Sequence, residues 1–451
     1  MVDQPDGGGR SRAKLSSPVA GAPWEQPSPD DYLDSLEAIG WRLGLERMHR
    51  LTTALGMPQH RFASFHVVGT NGKSSVTRMT AALLEAHGVP SGACLSPHTA
   101  HWSERTLIHG EEIGAAAWAR AVETVARAVE VVNRTLEEGD AVTPFEAATA
   151  ATFVALAGAR VKAAVIEAGL GGRLDATNTI PSQVTVLTSI GLDHTEWLGE
   201  TKLEIAAEKL AVLRDQTTLV LGRVSDEVAE LAERTAAQHG ARLVRAPEDP
   251  GPQLQLLAPG GFQRRNFALA RAAAEVFLGE LDPDLVAAVA ATVAIPGRLE
   301  RIAERPPTYV DAAHNPDGVA ALAEALPAVM GGRRVVACLA VLADKDAAAM
   351  AMALAPALER AVCTELPSAA LESHGRPGAR SHPAEDLVAA CEAAGLAAEA
   401  ELDFGAALRR GTELAAAAPE GALLIAGSHY GIAPARAALA TAAPPTHSRE
   451  A

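Results

Sequence analysis

Ser64-Phe65-His66-Val67-Val68-Gly69-Thr70-Asn71-Gly72-Lys73-Ser74-Ser75-Val76-Thr77 is the stretch whose reading decides the fold. The apolar run from Phe65 to Val68 reads as a buried strand, and Met79 to Ala86 continues as an apolar-faced helix. A strand, a glycine-rich turn and a helix start together make an anion cradle. Backbone amides point into the turn, the helix dipole favours negative charge, and Lys73 adds a mobile cation. Ser74 or Ser75 can place a hydroxyl on Mg²⁺. The usual phosphate-loop spacing wants a glycine where Val67 stands, so this turn is more compact, with Gly69 three residues before Gly72. The alternative is a tight turn whose glycines relieve crowding and whose lysine is solvated.

At 451 residues the chain exceeds a single small core, and two domains are expected. Lys plus Arg number 39 against 55 Asp plus Glu, a net charge of −16. That balance argues against nucleic acid or an anionic membrane as a bulk partner, and it obliges an anionic substrate to be met by local cations. Cys94, Cys338, Cys363 and Cys391 lack metal-ligand spacing and read as reduced thiols. Residues 1–28 are rich in Gly, Ser, Pro and charge without an apolar core, so a disordered tail is expected and not an export signal. No stretch reads as a transmembrane helix, and cytoplasmic residence is the default expectation.

Outward from the loop, the chain alternates strand and helix. Ser91–Leu95 reads as a strand ending at Ser96-Pro97-His98, Val161–Ile166 as one ending in Glu167, and Gln183–Thr188 as one ending near Asp193-His194. In a parallel sheet such carboxyl ends converge on one crevice, which is where ligands bind. The expected architecture is α/β: a nucleotide-binding layer structure over 29–297, a hinge at Ile295-Pro296-Gly297-Arg298, and a smaller, mostly parallel α/β unit over 298–451. Strands past the hinge are expected at 308–310, 334–340, 361–364, 397–402 and 423–426.

Glu167 follows an apolar run, where a carboxylate must be paired, hydrogen-bonded or metal-bound. With a serine hydroxyl and phosphate oxygens it makes a sensible Mg²⁺ shell. Read alone, His194 is a loop imidazole donating to a carbonyl, Asp175 a turn cap, and Asp344-Lys345-Asp346 a solvated charged turn. Asp311 and His314 read equally as an N-cap carboxylate and a structural imidazole. Arg298 beside the Pro-Gly hinge suits a clamp on a triphosphate as domains close.

From Tyr32 to Tyr430 the chain resembles the folylpolyglutamate synthase/dihydrofolate synthase family, in the Mur-type ATP-dependent amide ligase superfamily. The resemblance is carried by Gly69–Ser75, Ser96-Pro97-His98 with Glu104-Arg105, Thr143-Pro144-Phe145-Glu146, Glu167–Asn178, Gly191–His194 and Glu208-Lys209. It continues through Gln263 with Asn266, Pro296–Glu300, Asp311–Pro316, Asp344–Asp346 and Gly427-Ser428. It departs at Ser74, at the residues after Lys209, at Ile295, at Phe262 and at Ala312. It implies a fold with a Mur-ligase-like P-loop domain and a smaller Rossmann-like C-terminal domain.

The implied activity joins L-glutamate to a reduced folate, and to dihydropteroate, while ATP goes to ADP and phosphate. Gly69, Thr70, Asn71, Gly72, Lys73, Ser74 and Ser75 would then hold phosphates, with Asn266, Arg298 and Asp311 as further nucleotide contacts. Ser74 or Ser75, Ser96, Glu167 and His194 look like Mg²⁺ ligands, and Lys209 matches a lysine that is carbamylated in the family. His314 and Ser428 fall where glutamate is expected, and the segments around Thr143 and Arg105 where the pteridine is expected. A monomer is expected. Two other readings stand beside this one: a Mur-type ligase for another carboxylate and amino acid, and a non-catalytic nucleotide-binding scaffold. A Ser/His/Asp hydrolase built on Ser96, His98 and Asp193 leaves the glycine loop unexplained.

Overall fold

The computed structural model describes residues 28–36, 42–372 and 378–442. The expected tail lies outside these, except Ser28, which caps the helix Pro29–Ser35. The first sheet comprises β1 (Ala63–Val68), β2 (Ser91–Cys94), β3 (Thr106–Ile108), β4 (Glu111–Glu112), β5 (Ala163–Glu167), β6 (Ser182–Leu187), β7 (Thr218–Leu221) and β8 (Arg242–Arg245). Their order is β4-β3-β2-β5-β1-β6-β7-β8. The pairings are parallel except where β3 joins β2 and β4 joins β3. Those two short strands at one end of the sheet were not expected from the sequence. At three and two residues they carry no readable period.

β1 lies at the centre between β5 and β6, and it is buried on both faces. Phe65 and Val67 face one layer, with the helices Lys73–Ala86, Gly261–Leu278 and Pro283–Thr292. Val68 faces another, beneath the helices Lys202–Leu210 and Asp226–Gln238. The helices Glu46–Ala54, Ala115–Asn133 and Pro144–Gly158 cover the β2–β5 side. Burying one side chain such as Phe65 contributes roughly 1.5–3 kcal/mol, and these layers fix where the loop after β1 emerges. Pro144–Gly158 starts sharply because Thr143 and Glu146 form a capping box and Pro144 occupies the first helical position.

The second sheet comprises β9 (Glu300–Glu304), β10 (Pro307–Val310), β11 (Arg334–Leu339), β12 (Arg360–Cys363), β13 (Ala397–Ala400) and β14 (Gly421–Ala426), in the order β13-β12-β11-β14-β10-β9. Only β9 runs antiparallel, on β10 at the edge. Its charged sequence hid it, because an edge strand needs no apolar face on its solvent side. The chain reaches this sheet through a turn in which Gly297 takes φ 70° and its amide donates to Glu300 Oε2 at 2.6 Å. All four cysteines are buried and unbridged, where apolar surroundings in the sequence point to burial for three of them. No helix among the described residues is long and apolar enough to cross a membrane.

Candidate active site

The loop after β1 is pinned to the end of β6. Thr70 N donates to Ser189 O at 2.8 Å, Asn71 N to Ser189 Oγ at 3.1 Å, and Thr188 Oγ1 to Asn71 O at 2.7 Å. Gly69 takes φ 150°, and a Cβ there would lie 1.9 Å from Thr188 Oγ1. Gly69→Ala should therefore cost about 1–3 kcal/mol of stability, read as a lower urea midpoint. The helix Lys73–Ala86 follows, capped by Gly72 at φ 85° with no side-chain hydrogen bond to its first turn. Its first-turn amides thus open towards the cleft beside Lys73, a donor set that suits a phosphate chain. Lys73 Nζ folds back to donate to Thr70 O at 3.0 Å. Burial pulls its ammonium below the usual range, against the opposing pull of Glu167 and Asp193.

Glu167 ends β5, fully buried. Its Oε1 accepts from Ser74 Oγ at 2.8 Å and its Oε2 from Ser96 N at 3.0 Å. Burial raises its carboxyl above the usual range, while Lys73, Ser96 N–H and the Ser74 hydroxyl act against the rise. Ser74, Ser96, His194 and Lys209 line the same cleft. Ser75 does not: it is 2% exposed, one residue further round the helix and turned into the core. No group of three His, Cys, Asp or Glu side chains among the described residues is placed to hold a metal ion by itself. One carboxylate with hydroxyl neighbours fits a hard cation that completes its shell with phosphate and water oxygens.

His194 takes a left-handed φ of 52°, which a histidine adopts at a cost of about 1–3 kcal/mol. Its amide donates to Asp193 Oδ1 at 3.0 Å. Lys209 sits on Lys202–Leu210, 4% exposed, and burial, then repulsion from Lys73, brings its amine down to about 7.

The opposite wall comes from the second sheet's loops, with Arg298, His314, Lys345, His429 and Tyr430. No ion pair or hydrogen bond to the Arg298 side chain occurs among the described residues, which leaves its guanidinium facing the cleft. Asp193 ties the walls together. It accepts from Lys345 Nζ at 2.6 Å and from Asn315 Nδ2 at 3.0 Å, with His314 Nε2 at 3.5 Å. Burial would raise the Asp193 carboxyl, but the His314 hydrogen bond and the charges of His314, His194 and Lys345 hold it well below the usual range. Asn71 and Asn315 exchange amide hydrogen bonds at 3.1 Å each. Asn315 Oδ1 also caps the helix Pro316–Met330 through Gly318 N at 2.8 Å. The phosphate loop and the second sheet are therefore hydrogen-bonded directly.

Several expected residues sit behind the cleft surface. Asn266 buttresses the loop: its Oδ1 lies 2.5 Å from where a Gly72 Cβ would be, and its Nδ2 donates to Gln263 Oε1 at 3.0 Å. Asp311 gives both oxygens to backbone amides, Leu299 N and Ala313 N, at 2.8 Å each, and so shapes the turns that carry Arg298 and His314. Ser428 is buried and accepts from Tyr430 N at 3.3 Å rather than lining the cleft. In Asp344-Lys345-Asp346 the two aspartates are exposed, as a solvated turn requires, but Lys345 is buried against Asp193. The sequence reading also missed Arg42, Leu43 and Gly44 at the rim and His429 on the far wall. Nothing local marks them; folding alone brings them to the cleft.

An apolar end completes the cleft, with Pro97, Trp102, Pro144, Phe145, Leu170 and Leu174. Beneath it Arg47 Nε donates to both Glu146 oxygens at 3.1 Å, which holds the helix Glu46–Ala54 against Pro144–Gly158.

Two family models match the chain: Mur ligase middle domain over residues 67–252, and Mur ligase, glutamate ligase domain over 297–429. The dihydrofolate synthase/folylpolyglutamate synthase of Mycobacterium tuberculosis is 36% identical over 358 residues, 71% of this chain and 74% of the relative. A Mycobacterium tuberculosis folylpolyglutamate synthase structure complexed with ADP superposes with a TM-score of 0.82 at 32% identity, covering 91% of this chain and 98% of that one. A Yersinia pestis bifunctional folylpolyglutamate synthase/dihydrofolate synthase complexed with AMPPNP and Mn ion gives 0.78 at 26% identity, covering 92% and 100%. The likeness in fold thus runs with the likeness in sequence, and the chain belongs to the folylpolyglutamate synthase/dihydrofolate synthase family of Mur-type ligases.

Proposed function

We propose that this protein is an ATP-dependent ligase that adds L-glutamate to tetrahydrofolate and to dihydropteroate through an acyl phosphate, releasing ADP and phosphate. The observation that carries the reading is one cleft with the phosphate cradle and Glu167 on one wall and Arg298, His314 and Lys345 on the other. In this reading residues 29–297 bind nucleotide and folate, and the unit from 298 onward presents glutamate. The chain acts as a monomer in the cytoplasm.

Lys73, Arg298 and the amides of Gly69–Ser75 hold the phosphate chain, while Asn266 and Asp311 set the loop and the hinge behind it. Glu167, His194, Ser96 and the Ser74 hydroxyl would hold Mg²⁺, which when bound supplies positive charge against the phosphate oxygens. A carboxylate is a poor electrophile until its oxygen carries a phosphoryl group. Lys73 and Arg298 offset the charge that grows on the transferring group. The amine of glutamate then attacks the acyl carbon and phosphate leaves. The Asp193 and Asn71 bonds to the second wall keep the cleft closed to water during that interval.

Lys209 is proposed to be carbamylated. An amine brought down to about 7 is substantially neutral at physiological pH, the form that reacts with CO₂. The depressed value also gives a stability prediction in bicarbonate-free buffer. Below pH 7 the folded protein carries a buried ammonium, so Lys209→Met should be more stable by a few kcal/mol, on the order of the shift. As pH rises from about 7 towards the unfolded value the wild type sheds that proton only when folded, and the advantage shrinks. Thermal melts at pH 6 and pH 9 check it. A pH-independent difference would contradict it.

Mass spectrometry tests the function itself: with ATP, Mg²⁺ and glutamate, each acceptor should gain a glutamyl residue as ADP forms. Nucleotide turnover with no glutamylated product would refute the reading.

A further inference from the structure

Arg105 is the buried cation that the proposed mechanism leaves unused. It is 6% exposed and lines the cleft. Its guanidinium carbon lies 4.3 Å from the centroid of the Trp102 ring and 5.7 Å from that of Phe145. Nε donates to His98 Nδ1 at 2.8 Å. Among the described residues no carboxylate pairs with it, and neither Nη nitrogen has a hydrogen-bond partner. Two other buried cations differ: Arg47 is forked onto Glu146, and Lys345 is held by Asp193. A buried charge without a counter-ion is costly, and burial pulls this guanidinium down to about 10, still charged at neutral pH. The site is therefore built to be completed by an anion.

The phosphates have their own donors in the loop after β1, in Lys73 and in Arg298. The aromatic rings of Trp102 and Phe145 lie against the guanidinium, and Nε is taken. What remains is the Nη edge, which matches a planar carboxylate in a two-pronged geometry. Its partner His98 lies two residues from Ser96, whose amide donates to Glu167 at 3.0 Å, and Arg105 shares the cleft with Glu167 and the phosphate loop. Of the other cations in the cleft, Lys73, Arg298 and Lys345 belong to the nucleotide loop and the far wall, while Glu146, Glu167, Asp175 and Asp193 also line it and repel an anion.

The two acceptors differ at this point. Dihydropteroate has one carboxylate, and it is the one that reacts. The glutamyl tail of a folate has two: the γ-carboxylate reacts, and the α-carboxylate must be taken into an acidic, partly desolvated cleft. We infer that Arg105 receives the α-carboxylate of the folate's glutamyl tail and thereby sets the preference for folate over dihydropteroate. The inference rests on the ligase reading above. It adds a determinant that separates the two reactions sharing one cleft.

Two arms test it, read as kcat/KM. Arg105→Met should lower the value for tetrahydrofolate by about 10–100-fold, the worth of a charge-assisted hydrogen-bond pair. The loss for tetrahydrofolate should exceed that for dihydropteroate by about tenfold or more, and Arg105→Lys should restore part of it. In the second arm the unaltered enzyme is given tetrahydrofolate with its α-carboxylate converted to the amide. The loss should match that of Arg105→Met, and the variant should no longer distinguish acid from amide. Equal losses for both acceptors, or indifference of the unaltered enzyme to the amide, would overturn the assignment. If the unaltered enzyme glutamylates neither acceptor, the ligase reading itself fails and takes this with it. Dihydropteroate turnover tells the two failures apart.

Discussion

Replacing Lys73 by alanine should lower kcat/KM by roughly a thousandfold, about 4 kcal/mol of transition-state stabilisation. The ammonium stands at the first position of the helix Lys73–Ala86, beside first-turn amides that no side chain caps. Among the described residues its only hydrogen bond is to Thr70 O, a local contact that a phosphate oxygen can replace without other rearrangement. Its removal takes away charge that the amides cannot supply. Burial already disfavours that charge, so the variant should melt no lower than the wild type. Steady-state kinetics with calorimetric ADP binding measures both parts. A change within threefold in turnover and in ADP affinity would remove Lys73 from the phosphate site.

Asp193→Ala should have the largest effect on stability, about 3–5 kcal/mol, because it leaves a buried ammonium without its main partner. Lys345 has 7% of its side chain exposed, and its remaining carboxylate, Asp344, lies at 3.4 Å against 2.6 Å for Asp193. The same substitution takes an acceptor from Asn315 and the carboxylate neighbour at 3.5 Å from His314. Both walls of the cleft lose their anchor together. Lys345→Met added to Asp193→Ala should recover a large part of the loss, since the stranded charge goes with it. Urea unfolding of the single and double variants reads the coupling. Strict additivity would show that the two groups do not hold each other.

The phosphate loop was legible in the sequence because its glycines answer local demands: Gly69 packs against Thr188 and Gly72 against Asn266, both at positive φ. The convergence of Ser96, Glu167 and His194 was legible for a different reason. Each ends or follows a strand, and parallel strands point their ends the same way. Ser74 and Ser75 were indistinguishable in the sequence. The helix period separates them by about 100°, which turns one to Glu167 and the other to the core. Lys345 read as solvated because the carboxylate that buries it lies 152 residues earlier. Arg105 showed nothing of its isolation, which exists only once Trp102 and Phe145 have folded around it. Asp311 and Ser428 matched motif positions, yet both spend their polar atoms on the backbone and act through the loops they hold.

The central claim is that ATP activates the acceptor's own carboxylate between these walls, and oxygen transfer tests it most directly. Dihydropteroate labelled with ¹⁸O in its carboxylate is turned over with ATP and glutamate, and the released phosphate is analysed by mass. An acyl phosphate leaves its bridging oxygen on phosphorus, so each phosphate should carry one labelled oxygen. Phosphate released without label, alongside glutamylated product, would contradict the account.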